Sequence, residues 1–190
     1  MFIETELTPN PATLKFLPNR TIIRGGTVNF SKSEDATGIS PFAEEMFAIE
    51  NITGVFLGSN FITLTKAEGA EWDTLKPQIL GTMIEYLSSE KSIMQEGATL
   101  KSDEVEKTYS KDIQDIVDQI KELLETRVRP AVAQDGGDII FHDYDEGIVY
   151  LSMLGACAGC PSSTATLKMG IENMLKYYIP EIIEVRPVEA

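Results

Sequence analysis

Cysteine, histidine and tryptophan are nearly absent from this chain: among 190 residues there are two cysteines, one histidine and one tryptophan. Two cysteines cannot make a disulfide framework. One histidine, His142, leaves no histidine pair for a metal or a relay, and its place between Phe141 and Asp143 reads as a strand surface rather than a ligand. No Ser/His/Asp or Cys/His constellation is singled out by spacing. Basic residues are also scarce, 16 against 30 acidic ones, for a net charge of −14. The deficit is even: 9 basic against 16 acidic over 1–108, and 7 against 14 over 109–190. Such a surface repels phosphate, which argues against nucleic acid and anionic membranes as partners. No run approaches the roughly 18 apolar residues of a membrane span. The start, Met1-Phe-Ile-Glu-Thr-Glu-Leu7, lacks a basic region followed by an apolar one and is acidic rather than Arg-rich. It is read as neither a secretory signal nor an unprocessed transit peptide, and the expected compartment is reducing.

What is present is an ordinary core-forming composition, 43% apolar and 24% charged. That suffices for one large domain or two small ones. Residues 89–110 are charged and small, without sustained apolar periodicity, and read as a flexible linker. The expected class is α+β: two small mixed domains, 1–88 and 111–190. In the first, Thr13–Leu17 alternates, Pro41–Ile49 looks helical, and Gly54–Leu57 and Phe61–Thr65 pair across Gly58-Ser-Asn60. A stripe from Leu75 to Leu87 is helical, with Trp72 anchoring its start and Pro77 expected in the first turn. In the second, Ile113, Ile116, Val117, Ile120, Leu124 and Val128 mark a helix that Pro130 should end or kink, pushing Arg129 out of the helical basin. Strands at Ile139–Tyr144 and Ile148–Leu154 flank the Asp145-Glu-Gly147 turn. A helix carrying Leu167, Ile171 and Leu175 stops at Pro180, before a strand at Ile182–Val185. The order is α-β-β-α-β. Asp135, Asp138, Asp143 and Asp145 lack the EF-hand order and read as turn residues.

Both cysteines lie in Gly155-Ala-Cys157-Ala-Gly-Cys160-Pro161, between a strand and a helix. Pro161 suits a first helical position, which would place Cys160 at the N-cap. The positive end of the helix would then lower both thiol pKa values and favour thiolate, the metal-binding form. Gly155 and Gly159 let backbone approach bound sulfur. A cluster or a structural zinc takes four ligands, so one chain supplies half a site. The other half comes from a second copy, a partner or a small thiol. Three readings stay open on spacing alone: a metal-cluster site split between chains, a structural zinc bridging chains, and a dithiol redox pair. A buried core pair fits less well in a glycine-flanked loop.

Leu124-Glu-Thr-Arg-Val-Arg-Pro130, Asp135-Gly-Gly-Asp138 and Gly155-Ala-Cys-Ala-Gly-Cys-Pro-Ser-Ser-Thr164, in that order, resemble the Nfu family, homologues of the C-terminal domain of NifU, over residues 112–187. Residues 1–88 resemble the N-terminal domain that accompanies it, at Thr8-Pro-Asn-Pro11, Leu14-Lys-Phe-Leu17 and Phe47-Ala-Ile-Glu50. The resemblance implies a non-enzymatic iron-sulfur scaffold or carrier. It implies a 4Fe-4S cluster, or else 2Fe-2S, held by Cys157 and Cys160 in a homodimer when cluster-bound and passed to apo iron-sulfur client proteins. Upstream cluster assembly factors would be further partners. Arg129, Pro130, Gly136 and Gly137 match motif positions assigned to structure around the site. The competing function is a thiol-disulfide oxidoreductase. The expected location is a bacterial cytoplasm, or a mitochondrial matrix for a processed eukaryotic form.

Overall fold

The computed structural model describes residues 2–89, 91–96, 107–159 and 161–188, with side chains from Thr164 onward in the last stretch. The chain is α+β and divides into two compact units, 1–101 and 102–190.

The first unit is an antiparallel sheet with helices. Its strands are β1 (Glu4–Leu7), β2 (Thr13–Leu17), β3 (Val28–Phe30), β4 (Ile52–Leu57) and β5 (Ile62–Lys66), in the spatial order β1-β2-β5-β4-β3. Alternation along β2 decides what each face does. Leu14 and Phe16 join a core with Phe42 and Met46 of α2 (Pro41–Phe47) and Ile79 and Met83 of α3 (Trp72–Ser88). Each such side chain contributes about 1.5–3 kcal/mol on burial. Between them on β2, Lys15 points to the other face, paired with Glu6 at 3.0 Å and lying over the Phe61 ring. A short helix, α1 (Ser33–Ala36), leads to Ser40, whose Oγ caps α2 by accepting the Ala43 N–H at 3.1 Å and donates to the Ile93 carbonyl at 2.7 Å. Trp72 opens α3 as expected, its indole N–H donating to the Pro11 carbonyl. Pro77 departs from expectation: it sits in the second turn of α3, not the first. It is exposed there, as is Asp73, so water can serve the carbonyl that lacks an N–H partner.

The second unit carries α4 (Lys111–Leu123), a π turn (Leu124–Val128), α5 (Arg129–Gln134), β6 (Gly137–Asp145), β7 (Ile148–Gly155), α6 (Pro161–Tyr178) and β8 (Glu184–Pro187). The α-β-β-α-β order holds. Pro130 does not end the first helix: the chain stays helical to Gln134, and Arg129 lies in the helical basin at φ −57, ψ −42. The cause is the π turn, in which the Arg129 N–H donates to Leu124 O, five residues back, and opens room for the proline ring. The turn also answers the apolar spacing. Val117 and Ile120 are buried, and then Leu124, Val128 and Val132 recur every four residues. At 3.6 residues per turn each such step overshoots a full turn by about 40°. A wider turn absorbs the drift and keeps all three on the core.

β6 and β7 pair antiparallel through a two-residue turn, with Glu146 at φ 44 and Gly147 at φ 87, as a type I′ hairpin requires. β7 is central and pairs in parallel with β8, the edge strand, where Pro187 is tolerated. The last strand is two residues later than its pattern suggested, because Ile182 is spent on the core while Ile183 is exposed.

The stretch read as a linker is tied at both ends, each to its own unit. Ile93 and Met94 pack on the first core, and the Tyr86 hydroxyl donates to the Ser92 carbonyl. At the other end Lys107 and the Tyr109 hydroxyl both bond the Asp143 carboxylate. The interval 97–106 lies outside the described residues. Burial alone would raise the Asp143 carboxyl, but the bonds from Lys107 and Tyr109 outweigh it and hold the group below its ordinary value. A depressed folded pKa means this docking is fully present above the usual Asp pKa of about 3.9 and is lost as pH falls further. Protection of the amides of residues 107–110, measured against the intrinsic exchange rate at each pH, is therefore expected to fall below pH about 4, and Asp143→Asn should show the same loss of protection at neutral pH.

Candidate metal centre

Gly137 and Gly155 are cross-strand partners at the end of the β6–β7 ladder. That register brings together two sequence motifs that are far apart along the chain. Past Gly155 the chain turns: the Ala156 N–H donates to Gly136 O at 3.2 Å, the Cys157 N–H to Leu154 O at 3.2 Å and the Ala158 N–H to Gly155 O at 3.1 Å. Gly136, Gly155 and Gly159 hold positive φ, at 84, 61 and 78, which side chains resist. Gly137 has a different reason. A Cβ there would stand 2.5 Å from Cys157 Sγ, 2.6 Å from Leu154 O and 2.9 Å from Cys157 N. The missing side chain is the space the thiol occupies.

Cys157 is 6% exposed and packs with the core of the second unit. Two expectations need correction here. The glycine-flanked loop does bury its first cysteine, because Gly137 opens a slot for it. The thiol is not pushed toward thiolate: burial first, then the negative charges of Asp135 and Asp138, raise it to about 12. A helix terminus is worth about 0.3–1 kcal/mol, less than one pKa unit, whereas burial shifts a thiol by several. Burial wins. α6 begins at Pro161 as expected, and the Thr164 hydroxyl reaches back to the Cys157 carbonyl at 3.2 Å. Cys160, the other expected ligand, and its N-cap role lie outside the described residues.

The flank of the slot is an ion pair that residue spacing did not reveal. Asp138, 3% exposed, accepts Arg129 Nε and Nη2 on its two oxygens, each at 2.8 Å, and the Ile139 N–H at 2.8 Å. Arg129 Nη1 reaches Glu125 at 2.6 Å. The bonds to Asp138, against the cost of burial, raise the Arg129 pKa further. Asp138 is thus not merely a turn residue. A carboxylate set directly against the apolar run Ile139-Ile-Phe141 was the available signal, since a buried charge demands a partner. His142 is the extra residue at a bulge in β6, half-buried, with Nε2 2.6 Å from the Ser152 hydroxyl, and it stands apart from the cysteine loop.

Residues 120–186 match the NifU-like domain, and residues 3–90 match the N-terminal domain of scaffold protein Nfu/NifU. The chain belongs to the Nfu family. Relatives named NFU1 iron-sulfur cluster scaffold homolog, mitochondrial, from Drosophila ananassae and Drosophila willistoni are each 44% identical over 189 residues, 99% of this chain. The chain spans 64% of the length of each. A solution structure of a NifU-like protein from Saccharomyces cerevisiae is 24% identical, covering 50% of this chain and 86% of its own, with a TM-score of 0.46. Within this Nfu chain the slot, the Arg129–Asp138 pair and the cysteine loop all fall inside the NifU-like match. Among the described residues no helix is long and apolar enough to cross a membrane.

Proposed function

We propose that this protein is a non-enzymatic carrier that binds a 4Fe-4S cluster through Cys157 and Cys160, shares it between two copies and passes it to apo-proteins. The observation that carries the reading is the Gly137 slot. The fold gives up a side chain at the start of β6 to seat one cysteine of a Cys-x-x-Cys loop where β7 leads into α6. Iron-sulfur scaffold relatives at 44% identity support the same chemistry. Two cysteines per chain leave two of four coordination positions for a second copy. A 2Fe-2S cluster would use the same four thiolates. The relatives' mitochondrial naming favours the matrix over a bacterial cytoplasm. Upstream assembly factors supply the cluster, and client proteins receive it.

The cluster is cargo, so its site must form and dissolve. Binding iron replaces the thiol proton of Cys157, and the cost of ionising a buried thiol weakens the hold on the metal. A client thiolate can then take iron positions one at a time. The same burial disfavours Cys157 as the attacking thiol of an oxidoreductase, because desolvation holds its pKa well above the ordinary thiol value and lowers its thiolate content.

Anaerobic reconstitution with iron and sulfide is expected to give a broad visible absorption and about two chains per cluster. Cys157→Ser and Cys160→Ser should each reduce bound iron to background with unchanged far-UV circular dichroism. Normal loading of both variants would sink the assignment.

A further inference from the structure

The helix that follows the cysteine loop, α6, carries an exposed face of unusual character for so acidic a chain. Thr166, Met169, Gly170, Asn173 and Tyr177 of α6 are all exposed, Met169 at 64% and Tyr177 at 80%. At 100° per residue the five fall within an arc of about 100°. None is charged, although the whole protein is at −14. The charges of α6 are gathered along one margin of this face and are paired: Lys176 with Glu172 at 2.6 Å, and Lys168 with Glu184 at 3.6 Å. At the far end Tyr177 meets Tyr178 edge to face, and Tyr178 lies under the Arg127 guanidinium. An aromatic group held by such neighbours loses little freedom on being covered.

We infer that this face of α6 is where a second copy of the chain packs when the two share a cluster, an inference that rests on the carrier reading. Continuity supplies the first argument. α6 starts immediately after the cysteine loop, so a partner that gives two thiolates to the same cluster begins its contact at the start of this helix. Charge supplies the second. Two copies at −14 repel, and like charges brought together at an interface cost several-fold to many-fold in affinity. A face without charge, bordered by neutralised pairs, lets identical surfaces meet. A two-fold arrangement sets each residue of the face near its own counterpart, with the two helices running side by side from the cluster.

Area decides how firmly they hold. An 18-residue helix is about 27 Å long and offers a strip about 10 Å wide. Two such strips total well below the roughly 1,200 Å² of a stable specific interface. The face guides and steadies the pair, while iron-thiolate bonds close it. Release of the cluster to a client therefore parts the copies.

The test uses the full chain with iron and sulfide, read by sedimentation and by cluster lifetime on dilution. Asn173→Glu and Asn173→Lys each place like charges opposite one another across the two-fold axis. Each is expected to weaken the loaded pair about tenfold or more. An equimolar mixture of the two should recover the wild-type lifetime, which a general folding defect would not do. If wild type forms a two-chain cluster species and both variants match it, the face is wrong and the carrier reading stands. If wild type holds its cluster as a single chain, the carrier reading fails and this inference with it.

Discussion

Gly137→Ala is expected to destabilise the NifU-like unit by about 1–3 kcal/mol, the usual range for forcing a methyl group into a filled site. The methyl would meet Cys157 Sγ, Leu154 O and Cys157 N, all under 3.0 Å. Two of those atoms are backbone and cannot swing aside; only the sulfur can move, and moving it empties the slot. Iron loading should therefore fall further than stability does. Gly159→Ala is the informative comparison. Among the described residues nothing lies within 4 Å of its added carbon, and its φ of +78 is what resists, for a cost of about 1 kcal/mol. Urea unfolding followed by near-ultraviolet circular dichroism measures both. The single tryptophan, Trp72, lies in the first unit and should report an unshifted transition. A Gly137→Ala protein as stable and as well loaded as wild type would remove the slot from the account of the site.

Arg129→Ala should cost more, about 3–5 kcal/mol, because it removes the cation that bonds both oxygens of a buried carboxylate. Asp138 is 3% exposed, and the bond it accepts from the Ile139 N–H does not replace the lost positive charge. The reverse change is expected to cost less. In Asp138→Ala the Arg129 side chain, 32% exposed, still reaches water and Glu125. Arg129→Lys should fall between, since an ammonium cannot bond both carboxylate oxygens in the same fork. The double variant should be more stable than the sum of the single losses predicts, and the difference measures the coupling. An Arg129→Ala cost below about 1 kcal/mol would mean the pair behaves as a solvated surface contact.

Much of the architecture was open to inspection in the residues. The alternation of β2, the Asp145-Glu-Gly147 turn and the stripe through Leu167, Ile171 and Leu175 each express a local period, and local periods survive folding. The cysteine loop was equally visible, as two thiols in an otherwise cysteine-free chain. Boundaries that hinge on backbone hydrogen bonding were not. Pro130 looks like a stop signal because the penalty for proline is reckoned in a regular α-helix. The π turn removes that penalty, and its signal, buried residues every four positions from Leu124 to Val132, makes sense only once those residues share a core. Pro77 was misplaced for a related reason, since its tolerance depends on the exposure of Asp73.

Composition and motif order by themselves determined that this chain is acidic, poor in cysteine and histidine and furnished with one dithiol loop, since counts and spacing are properties of the chain alone. They also determined the Nfu family, whose marks lie in contiguous residues. Only the tertiary structure decided how that loop is held. The pairing of Gly137 with Gly155 is a register between strands, the burial of Cys157 is a packing outcome, and the partnership of Arg129 with Asp138 is set where a helix meets a strand. Each joins residues that the chain separates, and its energy exists only after the chain has closed on itself.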